Sequence, residues 1–246
     1  MVGALLLRGM LVGIVAGLLC FGFLKIAGEP SVDAAIAFET ALDAAKNPQG
    51  QAEPELVSRK TQAGIGLFTG VIVYSAAFGG LFAFAFALAY RRIGDFGPRG
   101  VSALLAGIGF IAIYLVPMLK YPASPPSVGA PATIGMRTAL YFSFVTVSLL
   151  AAVAAGMLRR RLERPLGAWN SVLVAGGAYI AVMLAVGLAL PAVNEVPDQF
   201  PAVVLWQFRV AALGAQLIMW ATLGLAFGAL SERAAMDRGR LRAKAV

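Results

Sequence analysis

The chain has 246 residues, of which 60% are hydrophobic and 13% charged. Its mean hydropathy is +0.82, which excludes an ordinary soluble domain. Histidine is absent and cysteine occurs once, as Cys20, so imidazole general bases, Ser-His-Asp or Cys-His nucleophiles, histidine-ligated metal centres and intrachain disulfides are excluded as well.

A bilayer core needs about 20 consecutive apolar residues in a helix. Six such stretches run near Ala4–Ala27, Gly64–Tyr90, Gly100–Leu119, Arg137–Leu158, Asn170–Leu190 and Arg209–Leu230. Hydrocarbon offers the backbone no hydrogen-bond partners, so the expected fold is all-α, a single polytopic membrane domain of about six transmembrane helices spanning residues 1–246. The alternation Phe82-Ala-Phe84-Ala-Phe86 has strand-like period, but it lies inside a span-length apolar run and reads as helix. In the first stretch Arg8 precedes apolar residues, as in a signal peptide. Gly9, Gly13 and Gly17 recur every fourth residue there, and that smooth strip reads instead as a helix-packing face. Gly66 to Gly70 and Gly224 to Gly228 repeat the spacing and suit contacts within the bundle or between copies, a homo-oligomer.

The net charge of +8 is unevenly distributed. Arg8, the 91–99 connection, the 159–164 connection and the C-terminal tail carry 13 of the 20 basic residues and a net +9; the opposite face carries −1. Cytoplasmic connections collect Lys and Arg, so both termini are expected in the cytoplasm. The positive charge then belongs to topology and lipid headgroups, and nucleic acid is not an expected partner.

The outer connections, residues 28–63, 120–136 and 191–208, are the longer and more varied ones, and candidate functional residues gather there. The first begins Gly28-Glu29-Pro30-Ser31, where Ser31 reads as the N-cap of a short interfacial helix that places Val32, Ile36 and Glu39 on one face. Its six acidic residues suit cation attraction or a solvated acidic face. The second holds five prolines in fifteen residues (117–131), which predicts a stiff, mostly extended cap, serving as a mouth, a docking surface or a packed lid. In the third, Asn194 and Glu195 offer adjacent oxygens on a proline-restrained turn. With Glu29 or Glu39 converging on them they would form a divalent-cation site. The competing arrangement pairs Glu195 or Asp198 with Arg209, Arg137 or Arg59 in an interfacial salt-bridge network. Trp206 reads as an aromatic-belt residue. The spans contain no Asp or Glu, and Lys25 lies near a helix end, which argues against proton antiport through a buried carboxylate.

Taken together, Arg8-Gly9, Gly28-Glu29-Pro30, Val57-Ser58-Arg59 with Gln62, Tyr114-Leu-Val-Pro117 continuing to Lys120-Tyr121-Pro122, Pro125-Pro126-Ser-Val-Gly129, and Asn194-Glu195-Val-Pro197 through Phe200-Pro201, Trp206 and Phe208-Arg209 resemble the CbtA family of cobalt transporter subunits over nearly the whole chain. The resemblance implies a multi-pass protein of the bacterial or archaeal cytoplasmic membrane that takes up Co²⁺ with a small, histidine-containing membrane partner, CbtB. That partner would provide the nitrogen ligand this chain lacks. The expected metal residues are Glu29, Asn194 and Glu195, supported by Glu39, Arg59, Tyr114, Lys120, Tyr121, Trp206 and Arg209. No catalytic residue and no cofactor are expected, and the protein is not read as an enzyme. The alternative function is a non-transporting scaffold or accessory subunit that docks a partner through its outer loops.

Overall fold

The computed structural model describes residues 2–46 and 57–244, with side chains placed through Asp237. It is 86% helical and contains no strand among the described residues. Five helices are long and apolar enough to cross a membrane: α1 Val2–Lys46, α2 Arg59–Ala89, α3 Pro98–Lys120, α4 Pro131–Ala189 and α5 Ala202–Asp237. The fold class expected from the apolar stretches is thus observed.

Two compact units are distinguished, one formed by residues 1–107 and 201–246, the other by residues 108–200. In the first unit, α1 and α2 pack antiparallel along the glycine strip. An added Cβ at Gly13 would lie 2.9 Å from the Ser75 carbonyl carbon and 3.0 Å from Ala76 Cα, and at Gly17 it would lie 3.1 Å from the Ser75 Cβ. Gly9 faces Gly79 in the same manner. Only glycine lets the two backbones approach this closely, so the four-residue spacing did mark a packing face. In the same unit Phe227 and Leu223 are completely buried. Phe227 meets Phe82 and Phe86 edge-on, with centroids 5.5 and 5.1 Å apart.

Four of the helices contain one π-helical turn each: Leu24–Gly28 in α1, Gln62–Gly66 in α2, Phe110–Leu115 in α3 and Leu223–Phe227 in α5. A π turn disturbs the regular i→i−4 ladder and leaves carbonyls available to other donors. Side chains use them here. Lys25 Nζ donates to Ala63 O at 3.0 Å, and the Ser102 hydroxyl donates to Gly224 O at 2.8 Å.

The same device changes the expected end of the first span. Instead of ending near Ala27 and restarting at a Ser31 cap, the helix runs on to Lys46. Pro30 would ordinarily break it, having no N–H and a ring that crowds the carbonyl four residues back. The π turn just before it widens the backbone, with the Glu29 N–H reaching Leu24 O. Ser31 is buried and donates its hydroxyl to Gly28 O at 2.7 Å rather than capping a new helix. Pro117 likewise follows a π turn, Phe110–Leu115.

In the second unit α4 is 59 residues long, about 88 Å if straight at 1.5 Å per residue, far more than a bilayer core of about 30 Å. It is not straight. Gly167 stands at φ 76°, ψ 167°, two residues after Pro165. Beyond that break the chain doubles back, so the Ser148 and Tyr179 hydroxyls are 2.8 Å apart and Phe144 packs beside Gly187. The apolar runs expected near 137–158 and 170–190 are the two arms of this hairpin.

Candidate functional site

Glu195 sits in the loop between α4 and α5, and its surroundings are built by the proline-rich segment on the other side of the hairpin. Val128 N–H bonds back to Pro125 O, and Ser127 and Gly129 both take positive φ, so the segment folds as a turn rather than a fully extended strap. Gly129 is favoured here by its φ of 110°, and a Cβ would also displace the Arg137 guanidinium. Two further bonds fasten the segment to the chain leaving α4: Lys120 Nζ donates to Leu190 O at 3.0 Å and the Tyr121 hydroxyl donates to Pro191 O at 2.9 Å.

On this frame two hydrogen-bond donors and one ion-pair partner converge on Glu195 Oε2, the partner Arg137 donating its Nε–H to Thr133 Oγ1 at 3.1 Å. The Ala130 N–H and the Thr133 hydroxyl each stand at 2.8 Å, and Arg137 Nε at 3.4 Å. The Thr133 oxygen is also 2.9 Å from Ala130 O, but a hydroxyl has one proton, and the ionised carboxylate is the stronger acceptor. The Glu195 carboxyl is held below the usual carboxylate range by the Thr133 hydroxyl first and then by the Ala130 N–H, against an opposing effect of burial, with the Arg137 charge adding the smallest lowering contribution. Its side chain is 22% exposed. Asn194, the preceding residue, is exposed.

Glu29 belongs to the first unit and has its own counter-charge. Arg59 Nη2 pairs with Glu29, whose side chain is only 12% exposed, and Arg59 Nε bonds the exposed Asp33 at 2.9 Å. One guanidinium thus joins the extended first helix to the start of α2. Ser58 caps that start, its side chain accepting from the Thr61 N–H.

Of the supporting residues, Lys120 and Tyr121 serve as loop fasteners, and Glu39 is exposed on α1. Tyr114 lies in a π turn with its hydroxyl buried and without a hydrogen-bond partner among the described residues. Trp206 is 68% exposed, as a belt residue would be, and Arg209 is half-buried. Among the described residues no three His, Cys, Asp or Glu side chains gather as a metal-holding group. The salt-bridge alternative is realised for Glu195 with Arg137, and Arg59 pairs with Glu29 and Asp33 instead of Glu195. Thr133 and the Ala130 N–H, the two nearest donors to Glu195, carry no sequence signal, because they reach it across 62 and 65 residues.

Fold and site together describe a multi-pass helical membrane protein with ion-paired carboxylates at the ends of its apolar stretches. The chain belongs to the CbtA family, described as a probable cobalt transporter subunit, whose family model matches residues 2–232. No curated protein matches the chain, and no solved structure does.

Proposed function

We propose that this chain is the multi-span subunit of a Co²⁺ uptake system in the cytoplasmic membrane of a bacterium or archaeon, working with a small histidine-bearing membrane partner. The observation that carries the reading is membership of a cobalt-transporter-subunit family over residues 2–232. The hairpin at Gly167 supports six crossings, since each arm is long enough to span, and an even number puts both termini on the arginine-rich, cytoplasmic side.

Glu195 and Asn194 in one unit, and Glu29 in the other, are the proposed oxygen donors for the arriving ion, and Glu39, Trp206 and Arg209 are the proposed supporting residues. Glu195 is ionised at neutral pH, as a hard cation ligand must be. Arg137 and Arg59 act as internal counter-ions to these carboxylates. An arriving divalent cation displaces each guanidinium from its carboxylate, so the carboxylate is never left as an unpaired charge. Oxygen ligands alone hold Co²⁺ weakly, and imidazole from the partner supplies the nitrogen donor. The apolar stretches of these helices offer no acidic residue, so the pathway relies on carbonyls, hydroxyls and the partner's side chains.

A second reading, a scaffold that docks the partner without handling metal, is favoured by the ion pairing of both carboxylates. Calorimetric titration of Co²⁺ into the purified complex of chain and partner separates the two. Transport predicts that Glu195→Gln weakens binding about tenfold or more, the scale of losing a group that supports a metal site. Unchanged Co²⁺ binding in Glu195→Gln and Glu29→Gln, with the complex intact, favours the scaffold.

A further inference from the structure

The two arms of α4 do not close against each other along their whole length. Between them lies a groove of about 610 Å³ lined by Val147, Leu150, Ala154, Leu158, Tyr179 and Val182 among others, with Arg161 at the end near the Gly167 turn. Apart from that arginine and the Tyr179 hydroxyl, which is engaged by Ser148, the walls are apolar. This hairpin is also the most weakly covered part of the molecule: only 11% of its most apolar window is buried, against 28–33% in the other long helices.

At the turn end the charge is strongly one-sided. Arg159, Arg160, Arg161 and Arg164 cluster there with a single acid, Glu163, which Arg159 takes at 3.5 Å. Arg160, Arg161 and Arg164 are exposed and have no ion pair among the described residues. From Val147 to Leu158 the groove runs 11 residues of helix, about 16 Å, roughly half a bilayer core. An apolar slot one leaflet deep, ending in unpaired guanidinium groups where headgroups lie, is complementary to an amphiphile with one negative end.

We propose that this groove is a binding site for an anionic phospholipid of the surrounding bilayer, with an acyl chain between the arms of α4 and the phosphate on Arg161, assisted by Arg160 and Arg164. The lipid fills the space the hairpin leaves open and neutralises the arginine cluster, so it stabilises the hairpin as well as anchoring it. A zwitterionic lipid fits the slot equally well but brings no net charge to the arginines, and selectivity therefore resides in the headgroup.

The test is native mass spectrometry of the full chain released from nanodiscs containing equal amounts of phosphatidylglycerol and phosphatidylcholine. The expected result is preferential retention of phosphatidylglycerol. Each basic residue near an anionic surface contributes about 1 kcal/mol, so Arg161→Gln reduces the preference about fivefold and the triple Arg160, Arg161, Arg164→Gln variant abolishes it. Ala154→Phe, which fills the slot at an exposed wall position, lowers retention of both lipids. Equal retention of the two lipids by the unmodified chain, or a preference unmoved by the arginine variants, overturns the proposal. A concentration-dependent dimer abolished by Ala154→Phe with lipid retention unchanged assigns the groove to a second copy and overturns it too. All these substitutions lie at exposed positions, and retained helicity by circular dichroism verifies that each variant folds.

Discussion

Replacing Gly13 by alanine tests the packing of α1 on α2 most sharply. The new methyl stands 2.9 Å from the Ser75 carbonyl carbon and 3.0 Å from Ala76 Cα, and closer still to the Ser75 oxygen. All three are backbone atoms, so no side-chain rotation relieves the clash and the two helices must separate. Overpacking of this kind costs about 1–3 kcal/mol, while alanine's better helix propensity returns about 1 kcal/mol. Gly22, in the same helix with nothing within 4 Å of its would-be Cβ, receives the same propensity gain without the clash. Comparing the two variants cancels propensity and isolates packing. At about 2–4 °C per kcal/mol for a chain of this size, Gly13→Ala should melt about 2–12 °C below Gly22→Ala, followed by a thiol-independent fluorescence melt in detergent and in nanodiscs. Equal melting temperatures would refute the close approach of these backbones.

Other consequences are equally direct. Ser102→Ala removes the donor to Gly224 O in the α5 π turn and should cost about 0.6–1.7 kcal/mol, the range for interhelical hydrogen bonds in membranes, read from the same melt. Arg59→Ala leaves the largely buried Glu29 without its counter-charge and should cost about 1–3 kcal/mol, whereas loss of the exposed Asp33 should cost less than about 1 kcal/mol. Because the Glu195 pKa is lowered in the folded state, its contribution is complete above the ordinary carboxylate value of 4.5 and is lost as pH falls below it towards the folded value. Glu195→Ala should therefore speed hydrogen exchange of the Ala130 amide, its bonded donor, at neutral pH. It should also flatten the loss of stability on acidification, and an unchanged acid profile would contradict the assignment.

The apolar stretches made the fold class legible because lipid leaves a backbone so few options, and Gly9, Gly13 and Gly17 revealed their packing face through a local four-residue period. The doubling back of α4 was visible as two apolar runs around an arginine-rich connection, although the helix continues closer to Gly167 than either run suggested. The continuation of α1 through Pro30 was not legible. Pro30 and Ser31 carry the ordinary signals of a helix boundary, and the π turn that overrides them has no comparable residue signature. At the candidate site the sequence supplied Glu195 and, among its alternatives, Arg137, since opposite charges at an interface suggest each other. It did not supply Thr133 or the Ala130 amide, whose roles depend on the proline-rich segment folding back at Gly129.

Membership of a cobalt-transporter-subunit family underlies the proposal that this chain takes part in carrying Co²⁺. The measurement that tests it most directly is uptake of radiolabelled Co²⁺ by cells stripped of their own cobalt importers, expressing the histidine-bearing partner alone, the chain with that partner, and the pair carrying Glu195→Ala. The account predicts uptake only when both chains are present, falling sharply in the variant at equal membrane abundance. Full uptake with the partner alone, or none with a correctly inserted and assembled pair, would contradict it.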